Sequence, residues 1–133
     1  MINKEEMIKL LCKSYPGFRD RMVSRASDWM SEDGSILYII LIGSLSALVL
    51  ERFTEGNYDN SDELFVSVEV LLENGDAQVR DIIATGFLEN MQNQTELPGK
   101  YWAPLLGRHA TEFCRGMDEF HGVKTEGLRC YNA

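Results

Sequence analysis

The sequence predicts an all-α fold of about six helices, packed as stacked antiparallel hairpins in a single domain spanning residues 1–133. Three observations predict it. Apolar residues recur three and four positions apart in successive segments, and polar turns containing Gly, Asn, Asp or Pro separate those segments. Hydrophobic residues make up 44% of the chain, enough for a core. There are only 3 prolines and 11 glycines, and they fall at a few break points.

The elements follow in order. A first helix is expected over residues 3–14, with Asn3 as its cap, Glu5 and Glu6 in its first turn, and Met7, Leu10 and Leu11 facing inward. Tyr15-Pro16-Gly17 ends it. A second spans residues 18–31, with Phe18, Met22, Ala26 and Trp29 as its apolar stripe. Glu32-Asp33-Gly34 turns the chain, and Ser35 is the expected cap of a third helix over residues 36–54. Its residues 36–50 are apolar nearly all round. At 15 residues, interrupted by Gly43, Ser44 and Ser46, the run falls short of a membrane span and reads as a central core helix.

After a polar turn at residues 55–60, Ser61, Asp62 and Glu63 start a fourth helix over residues 62–74. Val66, Val68 and Val70 alternate, so a strand over residues 65–70 is the competing assignment; the flanking helical pattern favours helix. Asp76 caps a fifth helix over residues 77–94, apolar through Val79, Ile82, Ile83, Gly86, Phe87 and Met91. Residues 101–106 form an aromatic connector in which Trp102 reads as a lid on the core. A sixth helix covers residues 108–120, and the tail beyond it is expected to lie extended against the domain.

Charge narrows the function. The formal net charge is −8, and all of the excess lies in residues 51–96, which hold eleven acids and two bases, Arg52 and Arg80. Nucleic acid is therefore excluded as a direct partner, since phosphates require Lys and Arg. A basic protein is the electrostatic complement. No signal peptide and no membrane association are expected, because acids appear early and no apolar run with a cleavage site follows. Cys12, Cys114 and Cys130 are odd in number and fit no metal or redox spacing, so free thiols and a cytoplasmic location are expected.

Chemistry is sparse. His109 and His121 stand twelve apart with no second ligand at zinc spacing. His121, beside Gly122, suits a helix C-terminus. No nucleophile elbow, Cys–His signature, P-loop or dinucleotide fingerprint occurs. Residues 57–63 are rich in Asn and Asp but fail the EF-hand pattern, which requires Gly at position six where Asp62 stands. No catalytic residue, metal or cofactor is expected, and no single carboxylate is marked as a general acid. The candidate contact surface is formed by Glu51 and Glu55 at one helix end, Tyr58 and Asp59 in the turn, and Asp62 and Glu63 at the next helix start, extended by Glu69, Glu73 and Asp76.

Asp76-Ala77-Gln78-Val79-Arg80-Asp81-Ile82-Ile83-Ala84-Thr85-Gly86-Phe87-Leu88 resembles the second helix of a HEAT-type repeat, a scaffold that usually binds proteins. Together with Trp102…Leu105-Leu106-Gly107, residues 76–107 resemble the small helical immunity proteins encoded beside bacterial polymorphic toxins, of the contact-dependent inhibition and Rhs types. The resemblance implies a chain that binds a cognate toxin domain and blocks its active site or substrate groove; many such toxins are basic nucleases. It carries over no inhibitory residue. The expected function is toxin neutralisation through the acidic surface in bacterial competition, with a HEAT-like protein-binding adaptor as the alternative and an enzyme with a carboxylate site as the third reading.

Overall fold

In the computed structural model, which describes residues 1–130, the chain is all-helical. Helix α1 is Lys4–Ser14, α2 Phe18–Ser24, α3 Ala26–Trp29, α4 Tyr38–Thr54, α5 Ser61–Asn74, α6 Ala77–Ile83, α7 Asn90–Asn93 and α8 Arg108–His121. A π-helical segment, Ala84–Glu89, joins α6 to α7, and two short 3₁₀ turns, Gly99–Tyr101 and Ala103–Leu105, lie in the connector before α8. The alternating valines at 66, 68 and 70 lie within α5, and among the described residues β pairing is limited to two isolated bridges. No helix among them is long and apolar enough to cross a membrane.

Local chemistry accounts for several of these boundaries. Asn3 and Glu6 form a reciprocal capping box that satisfies two orphan N–H groups at the start of α1. Asp76 accepts from the Val79 amide, at 2.9 Å, and starts α6. Ile2 pairs with the α5–α6 turn: its amide donates to the Asn74 carbonyl and its carbonyl accepts from the Asp76 amide, both at 2.9 Å. At the other end, α8 stops at Gly122, in the left-handed conformation that glycine favours, with His121 in the last turn.

Two elements differ from the pattern read in the sequence. The helix expected over residues 18–31 breaks at Arg25, which leaves the helical region at φ −120°. The Met22 carbonyl, freed by the break, accepts from the Trp29 indole N–H at 2.9 Å, so Trp29 turns inward and is buried. The following helix begins at Tyr38 rather than 36. Ser35 does not cap it. Residues 31–35 instead close on themselves through Asp33, which accepts from the Ser31 hydroxyl and the Ser35 amide; these bonds hold its carboxyl down to about 2. Ile36 and Leu37 are thereby left outside the helix and partly exposed.

The helix expected over residues 77–94 is continuous to Asn93 but contains the π-helical segment. The side-chain amide of Asn90 donates to the Gly86 carbonyl at 2.7 Å, competing with the regular backbone ladder. Gly86 lies against α4. A Cβ there would sit 3.0 Å from Ile42 Cβ and 3.1 Å from the Ile39 carbonyl, closer than ordinary contact. The absent side chain lets the two helices approach at this point.

A single cluster of buried side chains draws on nearly every element. It includes Met7, Leu11, Tyr15, Phe18, Leu41, Leu45, Leu64, Leu71, Ile83, Phe87 and Trp102, all under 2% exposed. Each such aliphatic or aromatic side chain contributes about 1.5–3 kcal/mol by leaving water. Phe53, Phe65 and Phe87 form a ladder of rings from α4 through α5 to the π segment, with centroids 6.3 and 6.0 Å apart. Cys114 is buried, Cys12 half-buried and Cys130 exposed. Burial pushes the Cys114 thiol up to about 12, with the Asp118 carboxylate adding to the shift, and raises Cys12 in the same direction against Arg19.

Two outcomes follow from this packing. Gly86→Ala gains about 1 kcal/mol of helix propensity but meets an Ile42 Cβ and a backbone carbonyl that cannot give way; urea denaturation is expected to show a net loss of about 1–2 kcal/mol. In thiol labelling of the native protein at pH 8, Cys130 reacts first, Cys12 slowly, and Cys114 only on unfolding. Because the Cys114 pKa is raised on folding, its contribution to stability is complete below the unfolded value near 9 and declines as pH rises toward 12.

Candidate functional site

The α4–α5 corner carries most of the candidate surface. Helix α4 ends at Thr54, residues 55–60 turn, and α5 begins at Ser61. The turn depends on Asn60, the one non-glycine residue with positive φ among the described residues, at 62°, a conformation that asparagine tolerates. Asn57 braces it by accepting from the Asp59 amide at 3.0 Å. Tyr58 stacks on Phe53, with centroids 4.3 Å apart and planes at 24°, and its hydroxyl donates to the Tyr101 carbonyl at 3.3 Å. The ring is therefore held at the end of the core's aromatic ladder while remaining 36% exposed.

Around this ring the carboxylates divide by environment. Glu55, Asp59, Asp62 and Glu63 are exposed, and none forms an ion pair with another described residue. Asp62 and Glu63 occupy the first turn of α5, where the helix dipole favours negative charge. Glu51 is exposed but pairs with Arg21 of α2 at 2.8 Å. Arg52, the other base nearby, is held by other groups: its guanidinium lies over the Tyr15 ring, 4.9 Å from the centroid, and donates to the Pro16 carbonyl at 3.1 Å. Lys100 stands over Tyr101, 5.3 Å from its centroid.

The remaining three acids are placed elsewhere. Glu69 reaches from α5 to the start of α8, where its carboxylate accepts from the His109 amide at 2.9 Å and the Ala110 amide at 2.7 Å, with His109 Nδ1 also 2.9 Å away. Gly107, the N-cap residue of α8, has no side chain to cap with, and Glu69 supplies the missing acceptor from another helix. Asp76 is occupied in capping α6. Glu73 is exposed but lies eleven residues beyond Asp62, about 17 Å along α5. The structure thus gathers Glu51, Glu55, Tyr58, Asp59, Asp62 and Glu63 at one corner and separates Glu69, Glu73 and Asp76 from them.

A second surface was not read from the sequence. Ile36, Leu37, Ile39 and Ile40 are between 39% and 49% exposed and, with Tyr38 and Ile82, line a shallow apolar groove flanked by Lys4 and Asp81. The sequence signal is the all-round apolar character of residues 36–50, which by itself reads as a core helix. Only the later helix start and the outward-facing first turn reveal it. Among the described residues, no cluster of three His, Cys, Asp or Glu side chains is arranged to hold a metal ion.

Fold and surface together define a small all-helical domain with an acidic corner braced by an aromatic ring and an exposed apolar groove. The chain belongs to the DUF7674 family, a domain of unknown function whose model matches residues 8–121, from within α1 to the last residue of α8. No curated protein and no solved structure matches it.

The Glu69 contact yields a direct prediction. Glu69→Ala leaves two amides of α8 without their charged acceptor, and urea denaturation is expected to show a loss of about 2–3 kcal/mol. Glu69→Gln, which keeps one carbonyl oxygen, is expected to lose about half as much. Equal stability of all three proteins would show that the bridge contributes nothing.

Proposed function

We propose that this protein is an immunity protein that binds and neutralises a cognate toxin domain, a basic nuclease, through the acidic α4–α5 corner. The observation that carries the reading is the group of unpaired, exposed carboxylates of Glu55, Asp59, Asp62 and Glu63 beside a fixed, half-exposed Tyr58. A nuclease must present Lys and Arg to phosphates. Carboxylates projecting from two helix ends and a braced turn offer such a surface a competing polyanion. Complementary charge of this kind steers association and selects the partner, while an ordered aromatic supplies contact area at little entropic cost. The resemblance of residues 76–107 to immunity proteins supports the same reading. Glu69 and Asp76 have no part in it, since their carboxylates are engaged in helix capping.

The exposed apolar groove at the start of α4 favours a second reading, a helical adaptor that docks a cellular partner through Ile36, Leu37, Ile39 and Ile40. The two readings place the partner on different ends of α4 and are separable by mutation.

The test is co-expression with the product of the adjacent upstream gene, scored for rescue of growth and for a stable complex. Asp59→Lys/Asp62→Lys/Glu63→Lys is expected to abolish rescue and to slow association by roughly tenfold to a hundredfold at low salt. Because Lys in the first turn of α5 opposes the helix dipole, the neutral set Asp59→Asn/Asp62→Asn/Glu63→Gln serves alongside it and is expected to give an intermediate loss with the fold intact by circular dichroism. Full protection by both sets would overturn the assignment of this corner. Loss of binding in Ile39→Asp/Ile40→Asp instead would favour the adaptor reading.

A further inference from the structure

The turn between α5 and α6 holds the one Asn-Gly pair in the chain, Asn74-Gly75. Neither the acidic corner nor the apolar groove uses it. Packing requires the glycine: Gly75 is buried, and a Cβ there would strike the Leu71 carbonyl and lie 2.6 Å from Val79 Cγ1. Asn74, the last residue of α5, is exposed.

An Asn-Gly pair can modify itself, because glycine has no side chain to shield its amide nitrogen. The Gly75 nitrogen attacks the Asn74 carboxamide carbon. Its proton leaves with the carboxamide NH2 as ammonia, and a cyclic imide forms. Water then opens the imide at one of its two carbonyls. One opening gives aspartate; the other reroutes the main chain through the side chain and gives isoaspartate. Water is the only other reactant.

In the native fold, main-chain hydrogen bonds hold this reaction shut. The Gly75 amide, whose nitrogen must attack, donates to the Leu71 carbonyl at 2.9 Å. Ring closure has to break that bond and turn Asn74 out of the helical region. Ile2 straps the same turn from both sides: its amide donates to the Asn74 carbonyl and its carbonyl accepts from the Asp76 amide, each at 2.9 Å. The strap is a single residue, since Met1 is exposed and Asn3 already caps α1. A segment held by so few bonds opens more readily than the core. We propose that Asn74-Gly75 is a latent self-modification site gated by Ile2, closed while Ile2 bridges the turn and converted to aspartate or isoaspartate once it detaches. Isoaspartate adds a methylene to the main chain beside a glycine packed against Leu71 and Val79. Aspartate places a negative charge at the end of α5, where the helix dipole disfavours it. Either product hinders the turn from closing as before, so detachment of the strap leaves a chemical record.

Peptide mapping by mass spectrometry separates asparagine, aspartate and isoaspartate at position 74 after the full chain is incubated in mildly alkaline buffer. In denaturing urea, Asn74 is expected to convert faster than Asn57, Asn60, Asn90 and Asn93, whose following residues all carry side chains. In the native chain, conversion is expected to be at least about tenfold slower than in urea. Ile2→Pro removes the amide that donates to Asn74; it is expected to raise the native rate about threefold or more while circular dichroism shows the helices retained. Hydrogen exchange on the unaltered chain tests the gate without a variant. The Gly75 and Asp76 amides, freed by one opening, are expected to be protected to within about threefold of each other. Should Ile2→Pro lose its helical signal, that exchange result decides. Native conversion as fast as in urea, or an unchanged native rate in a folded Ile2→Pro, would overturn the proposal. So would a Gly75 amide that exchanges independently of Asp76. Neither readout bears on the acidic corner, which the co-expression test addresses separately.

Discussion

The close approach of α4 to the helix that runs from α6 to α7 is the contact on which the rest of the molecule depends. It forms where Gly86 presents bare backbone to Ile39 and Ile42, and where Asn90 draws the Gly86 carbonyl out of the regular ladder. Around that seam the apolar faces of α1, α5 and α8 close into one core. The aromatic ladder leads from Phe87 beside it out to Phe53 and ends at Tyr58.

Electrostatics acts on top of this frame and divides acids of similar sequence context into different roles. Glu69, Asp76 and Asp118 are consumed by orphan amides, of α8, of α6 and of the tail. Glu51 pairs with Arg21. Glu55, Asp59, Asp62 and Glu63 stand exposed without an ion-pair partner among the described residues. The net charge of −8 is therefore a poor guide by itself: exposed acids without an ion pair occur along the chain, and those at the α4–α5 corner differ in standing together around a braced turn.

Helix termini were the most legible features. Asn3 with Glu6, Asp76, and the glycine after His121 act through neighbours within a few residues, so their roles can be read without tertiary knowledge. The break at Arg25, the late start of α4 and the π-helical segment were not legible, because each is decided by a competing bond whose value depends on geometry. Trp29 bonding to Met22, Asp33 closing the turn and Asn90 bonding to Gly86 each replace a regular backbone arrangement. The apolar groove is illegible for a related reason: composition reports that residues 36–40 are apolar but not that Ile36, Leu37, Ile39 and Ile40 stand exposed.

By itself the sequence determined the helical class, the order of the principal helices, the caps at Asn3 and Asp76 and the placement of negative charge in the middle third, because all of these arise from short-range periodicity, local hydrogen bonding and composition. Only the tertiary structure decided which acids cap helices and which stand free, that Trp102 is wholly enclosed, and that the tail is tied to α8 through Asp118 and Gln92. Those outcomes rest on contacts between residues tens of positions apart, such as Glu69 with His109 and Ala110, and no local pattern encodes the distance between them.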